Sequence, residues 1–191
     1  MTEEGLMVLR SYPLFAFGTL QDAEVFELVS GGIPLSLVPR EAGWLAGQSI
    51  VGAEDRLYPV LQQAAEAWAP GTLFHDLSAE VLDRLAWFEW PEFRPEPQEI
   101  ATTSTTRTCA CFIPAQKPSA TAQSWSLETW QKNKKRHWLS FAELCMAFYG
   151  VCTSEELDLH WEDILARMNG HPRDLPEHIE ARCEEISGID S

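Results

Sequence analysis

Apolar and polar residues follow two different periods along the chain, and the change of period separates two groups of predicted elements. In the first group, the apolar run at residues 14–17 ends at Gly18, which predicts a buried strand that enters a loop. Asp22 predicts the N-cap of a short helix, and Ser78 that of another. Further strands are predicted where short apolar or β-branched runs are bounded by turn residues: 44–51, 57–61, 71–75 and 99–113, the last as one long strand or a hairpin.

The second group has the helical period. Residues 127–148 carry apolar positions on one side and predict a long helix that ends at Gly150. Thr153 and Glu156 predict a capping box for a second helix, and apolar residues from Ile179 to Ile186 predict a third. The pattern therefore predicts an α+β fold: a strand-rich domain at 1–115, a Pro/Ser/Ala-rich linker at 116–124 and a helical extension at 125–191 that packs on or beside it.

The charge of the chain narrows the classes of partner. It has 191 residues, with 14 Lys and Arg against 29 Asp and Glu, for a net charge of −15. A nucleic acid or an anionic membrane surface would require a basic face, so neither is an expected partner. The sequence has no apolar run of about 18 residues, and residues 1–5 lack the pattern of a signal peptide.

Five cysteines bear on the cellular compartment and on metal binding. None forms a Cys-x-x-Cys pair, and the five histidines show no zinc spacing with them. Cys109 and Cys111 have the spacing that puts two strand residues on one face, where a dithiol or a metal clip is one interpretation. Reduced, partly buried thiols in a cytoplasmic protein are the favoured one.

Three fragments carry the candidate chemistry by their order. The first is Phe17-Gly18-Thr19-Leu20, a turn whose backbone N–H groups can hold an anionic or carbonyl oxygen. The second is the Tyr58-Pro59 segment. The third runs from Gly71-Thr72-Leu73-Phe74 through Leu82-Asp83-Arg84-Leu85 to Phe88-Glu89 and Phe93-Arg94.

In this order and spacing, the fragments resemble the γ-glutamylcyclotransferase-like family, which includes the plant avirulence-induced proteins. The resemblance covers residues 12–115 and implies a small, mostly antiparallel barrel-like sheet with flanking helices. It also implies an enzyme that cleaves a γ-glutamyl amide through attack of the substrate's own α-amine, releasing 5-oxoproline and an amine. The implied reaction uses neither a metal ion nor a cofactor, and its partner is a small γ-glutamyl molecule.

The resemblance also assigns roles residue by residue. Glu89 occupies the position of the general acid and base. The substrate-binding positions that it implies are Phe17, Gly18, Thr19, Leu20, Tyr58, Pro59 and Phe93. For Tyr58 and Pro59, simple packing is an equal alternative, and for Arg94 a structural ion pair is favoured over substrate binding.

Glu89 is also a candidate on physical grounds. One carboxylate can take a proton from the attacking amine and give one to the departing amine if it reaches both nitrogens. Its neighbours in sequence are aromatic: Trp87, Phe88, Trp90 and Phe93. If they also surround Glu89 in space, desolvation raises its pKa toward the working pH.

Three departures from the family pattern leave two alternatives open. Phe17 and Phe93 stand where the family usually has tyrosine, and Gln21 stands where many members have arginine. One alternative is a binding or regulatory module that keeps the fold without turnover. The other is a specialised cyclotransferase that acts on γ-glutamyl amines or removes a γ-glutamyl protecting group, with the helical extension reshaping the entrance of the pocket.

Overall fold

Strands and helices follow one another through the described residues of the computed structural model, which are 3–54, 56–89, 91–116 and 120–188, with the backbone alone at 120–122. The strands are β1 (Leu14–Ala16), β2 (Arg40–Ala53), β3 (Pro59–Phe74), β4 (Phe93–Thr102), β5 (Thr106–Pro114) and β6 (Ala120–Ser124). The helices are α1 (Glu3–Ser11), α2 (Ala23–Ser30), α3 (Ala79–Glu89), α4 (Leu127–Asn133), α5 (Lys135–Met146), α6 (Ser154–Met168) and α7 (Glu177–Ser187).

The sheet closes into a five-stranded barrel. Its order is β3-β1-β5-β4-β2, and β2 pairs again with β3, which closes the ring. Only β1 and β5 run parallel among the described strand pairs. The predicted α+β fold with a mostly antiparallel barrel-like sheet and flanking helices is confirmed.

Close packing of β1 on β3 places the loop that follows β1. All three residues of β1 are buried, and Gly71 of β3 lies against them. A Cβ atom at Gly71 would lie 2.5 Å from the ring of Phe15 and 2.6 Å from the carbonyl oxygen of Ala16. A glycine at this position therefore allows the two backbones to approach closely and holds the loop against the start of the barrel.

The strands are longer than the sequence pattern predicts. The segments 57–61 and 71–75, predicted as separate strands, belong to a single strand, β3. The stretch between them is rich in alanine and mostly exposed, and its backbone pairs with β2 at both of its ends. Backbone pairing needs no apolar alternation, so the strand continues where the side-chain pattern stops. The stretch 99–113 is a hairpin, and its first strand begins earlier, at Phe93.

Two features of the second half also differ from the prediction. Part of the predicted linker is β6, which pairs antiparallel with β2. The prediction that the segment 116–124 is an irregular linker is therefore wrong for residues 120–124. The predicted long helix is two helices, because Lys134 leaves the helical conformation with φ −127°. Lys135 then pairs with Asp22 and Glu24 of the α2 start, at 3.0 Å and 2.6 Å. The division of the chain into domains stays a prediction.

The C-terminal helices pack against α3. The predicted capping box of Thr153 and Glu156 is present at the start of α6. Trp87 of α3 donates from its indole nitrogen to the carbonyl oxygen of Cys152, at 3.2 Å. Phe148, Leu157, Ile164 and Ile179 share a buried cluster with Trp87 and Phe88 on its border. This packing brings α5 and α6 next to the end of α3, where Glu89 lies. None of the described helices is long and apolar enough to cross a membrane.

All five cysteines are free. Cys109 and Cys111 are buried in the same cluster inside the barrel, and burial raises the pKa of Cys109 to about 11. Burial likewise raises the pKa of Cys145 to about 12. Thiols with such pKa values are protonated near neutral pH and make poor nucleophiles, so they act here as small apolar residues.

Candidate active site

A cavity of about 150 Å³ lies between the loop after β1, the start of β3, the end of α3 and the helices α5 and α6. The loop, β3 and α3 contribute Phe17, Gly18, Thr19, Leu20, Tyr58, Pro59, Phe88 and Glu89. The lining also includes Arg56, Glu92, Phe93, Trp138, Phe141, Cys145, Asp158 and Trp161. The cavity is thus mainly apolar and carries a few charged groups, which is the usual composition of a small-molecule site.

The loop after β1 is held in a tight turn. Thr19–Gln21 forms one turn of 3-10 helix, in which Gln21 donates its backbone N–H to the carbonyl oxygen of Gly18, at 3.2 Å. The helix α2 begins directly afterwards, with the Asp22 carboxylate accepting from two of its backbone N–H groups. The N–H groups of Thr19 and Leu20 have no hydrogen-bond partner among the described residues. They remain available to an oxygen atom of a ligand.

Gly18 faces Pro59 across the cavity wall. A Cβ atom at Gly18 would lie 3.2 Å from Cγ of Pro59, tighter than an ordinary van der Waals contact. The neighbouring Gln21 side chain accepts from the hydroxyl of Thr72 at 3.0 Å and donates to the carbonyl oxygen of Gly18 at 3.4 Å. Gln21 therefore ties the loop to β3 and does not line the cavity.

Glu89 is the last residue of α3. The buried stripe of Val81, Leu82, Leu85 and Ala86 fixes the helix on the barrel and thereby sets the position of Glu89 at the cavity. Its carboxylate has no hydrogen bond or ion pair with any other described residue. Burial raises the pKa of Glu89 to about 8, and the negative charge of Glu92 adds to the effect. An unpaired carboxyl group with such a pKa can accept and release a proton near neutral pH.

Glu92, in contrast, is held by two partners. Its carboxylate accepts a hydrogen bond from the hydroxyl of Tyr58 and forms an ion pair with Arg56 at 3.2 Å. Burial and the neighbouring Glu92 raise the pKa of Tyr58. The ring of Tyr58 makes edge contacts with Phe93 and Trp138, at centroid distances of 5.7 and 5.8 Å. The carboxylate of Glu92 is therefore held in place by two side chains, whereas that of Glu89 has no partner within the described part of the chain.

The eight residues proposed from sequence are all around this one cavity. Their roles in binding and catalysis stay predictions. Of the aromatic residues expected around Glu89, Phe88 and Phe93 line the cavity, whereas Trp87 packs against Tyr149 and donates a hydrogen bond to the carbonyl oxygen of Cys152. Trp90 lies outside the described residues. The structural ion pair expected for Arg94 is not found among the described residues; Arg94 lines an adjoining groove of about 780 Å³.

Several lining residues were missed in the sequence. Arg56 and Glu92 belong to no motif in the sequence. Only the structure shows that they form an ion pair and line the cavity. Trp138 and Trp161 lie on the apolar stripes of their helices, a pattern that indicates core packing; both pack in the core and also face the cavity. The feature of the sequence that could have indicated this role is the presence of large aromatic side chains on helices predicted to pack on the barrel.

The raised pKa of Glu89 predicts a pH-dependent stability. Below pH 4.5, the ordinary pKa of a glutamate, the carboxyl group of Glu89 is protonated in both the folded and the unfolded state, so its burial does not lower the free energy of unfolding. Between 4.5 and about 8 only the unfolded state ionises, so the free energy of unfolding falls as pH rises, and above about 8 the loss is complete. Glu89→Gln removes this titration. We expect the melting temperature of the variant, relative to the wild type, to increase by at least about 2 °C from pH 5 to pH 8.5.

Melting curves of both proteins at the two pH values measure this difference, and titrations common to both proteins cancel. Glu80→Gln, an exposed change on the same helix, is the matched control and should show no such trend. A constant offset between Glu89→Gln and the wild type would mean that the carboxyl ionises equally in the folded and unfolded states.

Comparison with known proteins identifies a family whose model matches this chain. A model of the family described as "Gamma-glutamyl cyclotransferase, AIG2-like" matches residues 14–132, more than half of the chain and all five strands of the barrel. The match extends past the predicted linker and ends inside α4. A search of curated proteins finds no match.

Three solved structures match this chain at low sequence identity. The solution structure of At3g28950.1 from Arabidopsis thaliana is 11% identical, with a TM-score of 0.50, over 80% of this chain and 84% of that one. The solution structure of At5g39720.1 from the same organism is 20% identical, with a TM-score of 0.48, over 71% and 90%. The crystal structure of the uncharacterized protein PH0828 from Pyrococcus horikoshii is 13% identical, with a TM-score of 0.41, over 67% and 97%.

Proposed function

Because the chain belongs to the γ-glutamyl cyclotransferase, AIG2-like family, we propose that it cleaves a γ-glutamyl amide by cyclisation. The products are 5-oxoproline and a free amine. The observation that carries the proposal is the carboxylate of Glu89: it lies in the cavity, lacks a partner among the described residues and has a pKa of about 8. The loop of Gly18, Thr19 and Leu20 lines the same cavity.

The proposed reaction moves two protons through Glu89, one before the attack and one after it. The carboxylate takes a proton from the α-ammonium group of the substrate, and the neutral amine attacks the γ-carbonyl carbon. A C–N bond forms, and the carbonyl oxygen becomes an oxyanion that the N–H groups of Thr19 and Leu20 stabilise. The intermediate then collapses: Glu89 returns the proton to the departing nitrogen, and the original amide C–N bond breaks. The ring nitrogen still carries two hydrogens, and it gives one of them to Glu89, which passes this second proton to the released amine or to solvent, so that no water is consumed.

The protein mainly has to hold the substrate in the bent conformation from which the ring closes. The attack is intramolecular, and correct orientation of such reactants is worth about 7 kcal/mol or more. A cavity of about 150 Å³ is the size that holds a benzene ring, which is enough for the five-membered ring of the product. Phe17, Tyr58, Pro59 and Phe93 line it and would restrict the γ-glutamyl chain to a compact shape.

A non-catalytic binding module with the same fold is the second candidate. It is favoured by the side chains that replace polar groups of the family pattern. Phe17 and Phe93 have no hydroxyl group, and the Gln21 side chain is occupied by Thr72 and Gly18. In such a module, the backbone donors of the loop would still bind the γ-glutamyl group, and no product would be released.

Product analysis separates the two candidates. The purified protein is incubated with a panel of γ-glutamyl amino acids, γ-glutamyl peptides and γ-glutamyl amines, and 5-oxoproline is measured by mass spectrometry. We expect release of 5-oxoproline with an equal amount of amine from at least one compound. Binding of γ-glutamyl compounds without any release would support the module, and the same incubations without protein correct for spontaneous cyclisation.

A further inference from the structure

The helices beyond the family match build one side of the cavity. Trp138 and Phe141 of α5 stack at a centroid distance of 5.1 Å, and Phe141 meets Trp161 of α6 edge-on at 5.3 Å. We call these three residues the aromatic wall. All of them line the cavity, and all lie after residue 132, where the family match ends. The aromatic wall therefore lies outside the part of the chain that the family model matches.

The aromatic wall begins next to the proposed catalytic group. Phe88, the neighbour of Glu89 in α3, makes an edge contact with Trp138 at 5.9 Å. In the proposed reaction the departing nitrogen must lie within reach of Glu89, since Glu89 gives it a proton. The γ-glutamyl half is expected at the loop of Gly18, so the other half of the substrate extends along the aromatic wall.

We propose that the aromatic wall binds the amine half of the substrate and selects a leaving amine that carries an aromatic ring and no carboxylate, that is, an arylalkylamine. This inference rests on the proposed function, whose cavity it shares. Aromatic side chains prefer stacked and edge-to-face neighbours, and the aromatic wall offers both kinds of surface to a ring. Trp161 and Phe141 are only partly buried, so part of their surface is open to a ligand.

Charge at the cavity disfavours a leaving group with a carboxylate. The acidic groups that line it are Glu89, Glu92 and Asp158, and the basic group is Arg56. Arg56 is paired with Glu92, whereas Asp158 has no ion pair with any described residue. Asp158 is exposed on α6 at the rim of the aromatic wall. The carboxylate of a leaving amino acid would therefore meet unpaired negative charge in this cavity.

Three substrates isolate the two features of the leaving amine. γ-Glutamyl-phenethylamide has the ring, γ-glutamyl-ethylamide lacks it, and γ-glutamyl-phenylalanine has the ring together with a carboxylate. We expect kcat/KM for release of 5-oxoproline from the phenethylamide to exceed each of the other two by about tenfold. These comparisons use the wild-type protein, so they do not depend on how a variant folds.

Variants on α6 then test which side chains cause the preference among the three substrates. Trp161→Leu should reduce the ratio of phenethylamide to ethylamide to about threefold or less, because it removes one face of the aromatic wall. Asp158→Asn should raise kcat/KM for γ-glutamyl-phenylalanine selectively. Leu159→Ala is the matched control, since Leu159 lies on the same helix and is 76% exposed, and it should leave both ratios unchanged.

Binding measurements separate failure of this inference from failure of the proposed function. Calorimetry with the same three compounds is carried out on Glu89→Gln, which leaves the aromatic wall intact. Turnover without preference for the phenethylamide would overturn the inference and leave the function standing. Absence of 5-oxoproline together with tighter binding of the phenethylamide would overturn the function and support the inference. Equal or absent binding without turnover would overturn both.

Discussion

Glu89→Gln is expected to lose at least about a hundredfold in the rate of 5-oxoproline release while folding as the wild type does. Glutamine keeps the size of the side chain and much of its hydrogen bonding, but it cannot carry a proton between the two nitrogens. The melting temperature should stay level or rise, because the substitution removes a carboxyl group whose ionisation is costly in this cavity. Product formation and melting temperature, measured on one variant, therefore separate a catalytic carboxylate from a structural one.

Two controls support the interpretation of this result. Glu80→Gln makes the same chemical change on an exposed part of α3 and should keep the wild-type rate. The wild-type pH profile is the second: kcat/KM should increase with pH up to about 8, where Glu89 of the free protein ionises, and this limb should vanish in Glu89→Gln. A variant that turns over substrate at close to the wild-type rate would remove Glu89 from the mechanism.

Gly18→Val is expected to abolish binding of γ-glutamyl compounds, whereas Glu89→Gln is expected to retain it. The Cβ atom of the new side chain would lie 3.2 Å from Pro59, and its two methyl groups would occupy the space between the loop and β3. The N–H groups of Thr19 and Leu20 would then be covered. Calorimetric titration with a γ-glutamyl amide should show at least about a hundredfold weaker binding, or none.

Ala23→Val is the control for this variant. It adds the same two methyl groups at the exposed first residue of α2, close to the loop in sequence, and should leave the affinity unchanged. Gly18→Ala should give an intermediate loss, because Pro59 has to move by only a few tenths of an ångström to accept a single methyl group. Wild-type affinity in Gly18→Val would show that the turn is structural and makes no contact with the substrate.

Local features of the sequence predicted much of the fold. The apolar run before Gly18, the cap at Asp22 and the capping box of Thr153 and Glu156 all depend on residues within one turn or one strand of each other. The interactions that stabilise each feature form within a short segment, and each feature is present in the structure. The resemblance to a family added the barrel, which no local pattern in the chain predicts.

The errors have a common cause in contacts between distant segments. β3 continues through an alanine-rich, mostly exposed stretch because β2 supplies backbone partners, and β6 forms in the predicted linker for the same reason. Lys134 interrupts a good helical pattern where Lys135 reaches the carboxylates of Asp22 and Glu24. A side-chain pattern carries no information on such partners.

The sequence by itself determined the change from a strand-rich to a helical half, the loop of Gly18 and the glutamate at the end of α3, since each depends on neighbouring residues. Only the tertiary structure decided which groups share the cavity. It left Glu89 unpaired while it tied Glu92 to Arg56 and Tyr58, and it brought the aromatic wall from α5 and α6 to the barrel. The physical reason is that desolvation, charge pairing and cavity shape arise between residues far apart in the chain, as in the hydrogen bond of Gln21 with Thr72, 51 positions away.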